Sequence, residues 1–217
     1  MQEQAQNRRD LFLLISLVLV ILLYPPLDHG DLRRLILGAM VFVPVVLATV
    51  RMSQTKGWVW LPRLFMSGVL LFGLASTLFH NRALIAIKWI ILAGFFGLAV
   101  VRLFSYLRNA RTITASHLFT AVSVYILLGM LFYALYSALE VLHPGSFHYS
   151  NLAATDRASD LLYFSLITLS TIGYGDIVPI YGEARMLAAL EGMIGVLYVA
   201  ITIALLVSAY GHDSNSV

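Results

Sequence analysis

The segment Leu169-Ser170-Thr171-Ile172-Gly173-Tyr174-Gly175-Asp176 decides how the rest of the chain is interpreted. It stands between two long apolar segments, residues 118–142 and 184–210. Glycine enters the left-handed backbone region without the steric penalty that other residues pay. A short backbone that alternates right- and left-handed dihedrals turns successive carbonyl groups to one side. Gly173 and Gly175 therefore predict a one-sided row of carbonyl oxygens.

Such a row of oxygens replaces the water ligands that a monovalent cation loses inside a membrane. We expect the oxygen donors to come from Thr171, Ile172, Gly173, Tyr174 and Gly175, with the Thr171 hydroxyl at the inner end. The Tyr174 side chain is expected to point away from the row and to wedge the loop against its surroundings. A glycine-rich surface turn is the alternative, but non-helical backbone at membrane depth has to line a cavity.

The composition indicates an integral membrane protein. Of the 217 residues, 60% are hydrophobic and 12% are charged, which is far more apolar than a soluble domain. No basic run indicates a nucleic-acid partner, and membrane lipid is the expected surrounding. The absence of cysteine excludes disulfides.

Apolar runs predict six transmembrane helices. The runs cover residues 11–24, 35–50, 64–79, 83–104, 118–142 and 184–210. A cleaved signal peptide is the alternative interpretation of the first run, but Pro25, Pro26 and Asp28 stand where a small-residue cleavage site would be needed. We therefore expect a retained first helix.

Residues 156–170 predict a short re-entrant helix that leads into the glycine segment, after a polar outer loop at residues 143–155. They are too apolar for an exposed loop and too short to span a bilayer. The carboxyl-terminal end of a helix carries partial negative charge, and here that end would aim at the predicted cation site.

The distribution of Lys and Arg predicts that both termini are cytoplasmic. One side, holding residues 1–10, 51–63 and 102–117, has eight Lys and Arg residues, and the other side has five. The side with more basic residues faces the cytoplasm. We expect the plasma, or inner, membrane.

The segment Thr171-Ile172-Gly173-Tyr174-Gly175-Asp176 resembles the selectivity filter of potassium channels, with Ile172 in place of the commoner valine. The resemblance extends over about residues 116–210. Tyr163 and Phe164 match an aromatic pair that supports the filter in that family, and Asp176 matches the acid that follows it. Ile167 departs from one bacterial subgroup, which has a glutamate at its position.

The resemblance implies an all-α homotetrameric channel, in which each chain meets three identical subunits. It divides the chain into a four-helix transmembrane region, residues 1–112, and a pore domain, residues 113–217, with the re-entrant helix and filter between helices five and six. Potassium ions would bind at Thr171, Ile172, Gly173 and Tyr174, and no organic cofactor is expected. Closed cyclic symmetry fits one filter segment per chain.

The function implied is passive, selective potassium conduction, and no enzymatic reaction is expected because catalytic motifs are missing from the sequence. A non-selective or sodium-conducting channel is one alternative, against which the full Gly-Tyr-Gly argues. A secondary transporter is the other, but transporters usually show internal repeats, and none is visible here.

Strong voltage gating is not expected. Arg102, Arg108 and Arg111 lie at the cytoplasmic end of the fourth apolar run, and the first three runs contain no acidic residue. Arginine anchors at the membrane interface are the preferred interpretation.

Two charged residues and one glycine inside the apolar runs need an explanation. Lys88 is one turn from a helix end and is expected to extend its ammonium to the interface. Glu191 is expected either to brace the re-entrant helix by hydrogen bonding or to reach outer water. Gly195 matches a hinge glycine in the resembling family, with close helix packing as the alternative, and one added methyl is expected to be a small change there.

Overall fold

The structure, a computed structural model, describes residues 2–23, 44, 47, 60–79, 81–110, 114–150 and 157–214. Apart from the helical positions Pro44 and Leu47, these residues form six helices and two short strands. The helices are α1 (Gln2–Leu23), α2 (Trp60–Phe79), α3 (Arg82–Arg108), α4 (Ala115–Leu142), α5 (Arg157–Leu169) and α6 (Gly182–Ser214). The strands are β1 (Phe147–Tyr149) and β2 (Ile177–Pro179).

Three of the described helices are long and apolar enough to cross a membrane. They are Arg82–Arg108, Ala115–Leu142 and the Gly182–Ser208 portion of α6. The predicted runs at residues 11–24 and 64–79 lie in the helices α1 and α2. The run at residues 35–50 lies outside the described residues except for Pro44 and Leu47, which are helical. The prediction of six spans therefore stays a prediction.

Local hydrogen bonds explain why the helices extend beyond the apolar runs. Asn81 caps α3, since its side-chain oxygen accepts a hydrogen bond of 2.8 Å from the backbone N–H of Ala83. At the start of α4, the backbone N–H of Thr114 donates to Nδ1 of His117 at 3.2 Å. Both caps satisfy N–H groups that a helix start leaves without a partner.

Helix α4 is the centre of the molecule. It packs against α1, α3, α5 and α6, and most of its residues are buried. Buried residues on α1 facing this core include Leu13, Leu17 and Val20. A buried hydrogen bond also joins α1 to α4. The Ser116 hydroxyl on α4 donates to the Asp10 carboxylate on α1.

The described residues confirm the all-α fold class, and the segment after α4 adds a pair of three-residue strands to it. A polar loop is predicted at residues 143–155, but β1 lies within it and pairs antiparallel with β2, which follows the filter segment. Phe147 faces Pro179 and Tyr149 faces Ile177 in this ladder. Apolar side chains buried beneath the strands, Phe147 and Ile177, stabilise the pairing.

Candidate pore and selectivity filter

The short helix predicted at residues 156–170 is present as α5, whose buried face packs against α4 and α6, and its re-entrant position in the membrane stays a prediction. The buried side chains of α5 are Leu161, Leu162, Phe164, Ser165, Ile167 and Leu169. Its 13 residues are too few to span a bilayer. The helix ends directly at the filter segment.

The filter backbone alternates in handedness, as the glycine pattern predicts. Gly173 has a φ angle of 53° and Gly175 a φ angle of 81°, both in the left-handed region. Thr171 also lies there, with a φ angle of 59°, although it carries a side chain. Ideal Cβ atoms at Gly173 and Gly175 would meet no atom within 4 Å. Within a single chain, the need for glycine at these positions is therefore conformational and not a matter of space.

Backbone amides fix the inner end of the filter to α5. The N–H groups of Ile172 and Gly173 both donate to the carbonyl of Ile167, at 2.9 Å and 3.2 Å. The N–H of Thr171 donates to the carbonyl of Thr168 at 3.0 Å. The filter amides therefore point at the helix, and the position of α5 determines the position of the filter.

The filter side chains are exposed within a single chain. Tyr174 is 71% exposed and Ile172 is 55% exposed. The surroundings against which Tyr174 is predicted to wedge the loop are therefore not supplied by the described residues of the same chain.

The predicted supporting residues face different neighbours. Phe164 is buried, and its ring centroid lies 5.2 Å from that of Tyr136 and 5.4 Å from that of Phe147, in edge-to-face contacts. Tyr163 is partly exposed, and its phenol lies close to the carboxylate of Asp176. Phe164 thus packs α5 into the core, whereas Tyr163 connects α5 to the outer end of the filter.

The outer loop is also tied to the outer end of the filter. The backbone N–H and the hydroxyl of Ser150 both donate to the carbonyl of Asp176, each at 2.9 Å. On the other side of β1, the Glu140 carboxylate accepts from the N–H groups of Gly145 and Ser146, at 2.9 Å and 3.0 Å. The carbonyl of Asp176 is therefore engaged by the loop.

Glu191 is fully buried, with 0% of its surface exposed, behind the filter. The phenol of Tyr136 on α4 donates to its Oε2 at 2.6 Å. Its Oε1 lies 2.5 Å from the hydroxyl oxygen of Ser165 on α5. Of the two expectations for Glu191, this geometry fits the brace and excludes contact with outer water. Sequence reasoning missed Ser165 and Tyr136, whose signal was a polar atom inside an otherwise apolar segment.

Gly195 lies where α6 crosses the end of α5. A Cβ at this position would lie 2.0 Å from the carbonyl oxygen of Leu169. That carbonyl also accepts a hydrogen bond of 3.1 Å from the phenol of Tyr125. The expectation that one added methyl is a small change at Gly195 is wrong, because the methyl would collide with backbone. The contact shows close packing, and the hinge role stays a prediction.

Lys88, Arg102 and Arg108 lie on α3. Arg102 and Arg108 occupy the last turns of α3, and Arg108 is exposed. Arg111 lies outside the described residues. The Lys88 ammonium lies 4.6 Å from the centroid of the neighbouring Trp89 ring, a cation–π distance.

A family model described as "Ion channel" matches residues 120–211, which hold α5, the filter and most of α4 and α6. Protein LctB of Bacillus caldotenax is 34% identical over 99 residues, which cover 44% of this chain and 73% of that protein. The chain belongs to the potassium-channel family. The matched region is that of a membrane channel and not that of an enzyme.

Two rice proteins from Oryza sativa subsp. japonica are also similar to part of this potassium-channel chain. Two pore potassium channel c is 38% identical over 92 residues, 42% of this chain, and Two pore potassium channel b is 42% identical over 64 residues, 30% of this chain. The matched regions cover 18% and 16% of the rice proteins, so the chain spans less than a fifth of each. No solved structure matches the chain.

Proposed function

We propose that this protein conducts K⁺ selectively and passively through a pore lined by residues 171–175 of several identical chains. The alternating backbone at Thr171, Gly173 and Gly175 is the observation that carries the proposal. With the amides of Ile172 and Gly173 donated to α5, the filter carbonyls are free to act as ligands. Bound K⁺ ions would lie at Thr171, Ile172, Gly173 and Tyr174, without an organic cofactor.

The reversal potential tests selectivity directly. Purified protein in planar bilayers, with K⁺ on one side and Na⁺ on the other, should give single-channel currents that reverse near the K⁺ equilibrium potential. Reversal near zero would favour a non-selective channel, and reversal near the Na⁺ potential a sodium channel. Transport by discrete turnovers without unitary currents would favour a secondary transporter.

We infer that four chains assemble around the pore, so that each has three identical partners. The exposed apolar surface of α6 supports self-association: Met186, Met193, Val196, Leu197, Ile203 and Val207 are each more than half exposed. Together with the exposed Tyr174, this surface needs cover from lipid or from another chain. Four filter segments complete a ring of carbonyls, as in the filter of K⁺ channels.

We propose that residues 113–217 form the pore domain and residues 1–112 a four-helix transmembrane region that packs around it. The start of α4 at Ala115 and the start of the family match at residue 120 support this division. The excess of Lys and Arg on one side supports cytoplasmic termini in a plasma, or inner, membrane. Six membrane spans complete this arrangement.

We propose that gating depends weakly on voltage. The position of Arg102 and Arg108 in the last turns of α3 supports an anchoring role. Each charge that crosses the membrane contributes about 2.3 kcal/mol per 100 mV, so charges that stay at the interface contribute little. Bending of α6 at Gly195 is proposed as the gate movement.

A further inference from the structure

The buried carboxyl group of Glu191 joins three helices behind the filter. It belongs to α6, contacts the phenol of Tyr136 on α4, and contacts the hydroxyl of Ser165 on α5. The Ser165 hydroxyl oxygen also lies 2.7 Å from the carbonyl oxygen of Gly129 on α4. Ser165 itself is 0% exposed, so no bulk water substitutes for any of these partners.

The number of hydrogens in this network determines who donates. Ser165 has one hydroxyl hydrogen and two oxygen neighbours, the Gly129 carbonyl and Glu191 Oε1. One hydrogen cannot make a full hydrogen bond to both oxygens. If it is donated to the Gly129 carbonyl, which only accepts, the Ser165 oxygen is free to accept a hydrogen from Glu191. A carboxylic acid at Glu191 supplies that hydrogen, whereas a carboxylate has to take the Ser165 hydrogen for itself.

The neighbouring groups favour the same assignment. The ionisable groups that face Glu191 in the described part of the chain are the phenols of Tyr125 and Tyr136, both from α4. Ser165 is the polar partner from α5. None of these groups carries positive charge, and a buried carboxylate without a cationic partner is strongly disfavoured.

We propose that Glu191 carries a proton and donates it to Ser165, and that this hydrogen bond positions the filter. The inference deepens the proposed conduction function and rests on it. Ser165 lies two residues before Ile167, whose carbonyl holds the amides of Ile172 and Gly173. The bond therefore fixes α5, and with it the filter, to the helix α6 that lines the pore. Glu191 is a positioning residue that acts through Ser165 and does not touch the ion.

Two variants of Glu191 distinguish the loss of the hydrogen bonds from the loss of the ionisable group. Glu191→Gln keeps a donor for Ser165 and an acceptor for Tyr136 without an ionisable group, whereas Glu191→Leu has similar size and makes neither hydrogen bond. We expect the K⁺/Na⁺ permeability ratio of assembled Glu191→Gln channels to stay close to that of the wild type. For Glu191→Leu we expect a fall of about tenfold, the effect of leaving one buried hydrogen-bonding group unpaired. Equal ratios in wild type and Glu191→Leu, or an equal loss in both variants, would overturn the proposal.

Infrared spectroscopy tests the proton without any current. The difference spectrum of the full-length wild type minus Glu191→Gln, in lipid bilayers at neutral pH, should show the C=O stretching band of a protonated carboxylic acid. If only carboxylate bands appear, the proposal is wrong. A protein that shows the acid band but does not select K⁺ would contradict the proposed function and leave the proton assignment intact.

Ser165→Ala keeps the test decisive if Glu191→Leu does not assemble. This smaller change removes the hydroxyl oxygen that accepts from Glu191. The C=O stretching band of Glu191 should therefore shift to the position of a carboxylic acid that makes one fewer hydrogen bond. An unshifted band in Ser165→Ala would show that Glu191 does not donate to Ser165.

Discussion

Single residues of the filter act through their backbone conformation. Gly173 and Gly175 have positive φ angles, but open space surrounds the position where each Cβ would be. Thr171 shows that a β-branched residue can be held in the left-handed region when its N–H is bound to the carbonyl of Thr168. Such positions in a functional loop are maintained by the structure around them.

Replacing Gly173 by alanine should degrade selective conduction. The left-handed conformation costs a residue with a Cβ roughly 1–2 kcal/mol, so the carbonyl of the variant should leave its place in the row. The reversal potential in a K⁺/Na⁺ gradient, measured in planar bilayers, should move away from the K⁺ value. Gly182→Ala is a matched control, because Gly182 has no positive φ angle and an added Cβ there would meet no atom within 4 Å. Equal reversal potentials for wild type and Gly173→Ala would contradict the conformational argument.

Gly195→Ala should destabilise the protein by about 3 kcal/mol or more, at or above the usual range for overpacking. The reason is the distance of 2.0 Å between the added Cβ and the Leu169 carbonyl oxygen. Thermal unfolding in detergent measures the loss. Gly192→Ala on the same helix is the control, because the nearest atom, the carbonyl oxygen of Thr168, would be 3.8 Å away in ordinary contact. An unchanged unfolding temperature for Gly195→Ala would mean that α6 does not approach α5 this closely.

At the scale of elements, α5 connects the filter to the rest of the chain. Its sides contact α4 and α6, and its end holds the filter amides. The Leu169 carbonyl meets both the phenol of Tyr125 and the helix α6 at Gly195. Helix α6 therefore contacts α5 directly at Glu191 and at Gly195.

Neutralising the arginines at the end of α3 should alter insertion more than gating. Arg102→Gln and Arg108→Gln, with Arg111→Gln in the following segment, should lower the amount of inserted protein, because interfacial arginines fix helix orientation. The steepness of the conductance–voltage relation should stay nearly unchanged. A slope that decreases with each neutralisation would show that these charges cross the membrane field.

At the scale of the whole molecule, the described chain leaves an apolar surface without cover. The α6 side chains named above as more than half exposed, and the filter side chain Tyr174, are accessible in a single chain. By contrast, α4 is mostly buried by other helices of the same chain. Exposed apolar side chains also lie on α1, α2 and α3, where lipid can cover them, whereas an exposed apolar surface beside the filter is expected where copies meet around a pore.

Chemical cross-linking of the protein in detergent should give a largest species of four chains. Native mass measurement on the same preparation checks the number of chains in the assembly. The variant Leu197→Glu, on the exposed surface of α6, should reduce the number of chains in the assembly. A charge near mid-bilayer also costs roughly 2.5–3.5 kcal/mol, so Ile90→Glu, at an exposed site inside α3, serves as the control for insertion. A conducting assembly of two chains would contradict the proposed tetramer.

The sequence by itself determined the features that depend on local chemistry. Glycine at two alternate positions was enough to predict left-handed φ angles at 173 and 175, because the steric limits of the backbone act within one residue. Apolar length and composition were enough to predict the short helix α5 and the long helices on either side of it. The positive φ angle of Thr171 and the strands β1 and β2 were not predictable in this way, since neighbours in space impose them.

Only the tertiary structure decided what the polar and small residues inside the apolar segments contact. Glu191 could equally have faced outer water, and its partners Tyr136 and Ser165 lie 55 and 26 residues away in the chain. Gly195 became a packing residue only when the end of α5 was placed against it. Hydrophobic patterning predicts that a residue lies in a membrane but does not determine which residues it contacts, because apolar burial is non-directional. Hydrogen bonds and steric contacts, by contrast, depend on the final positions of the atoms.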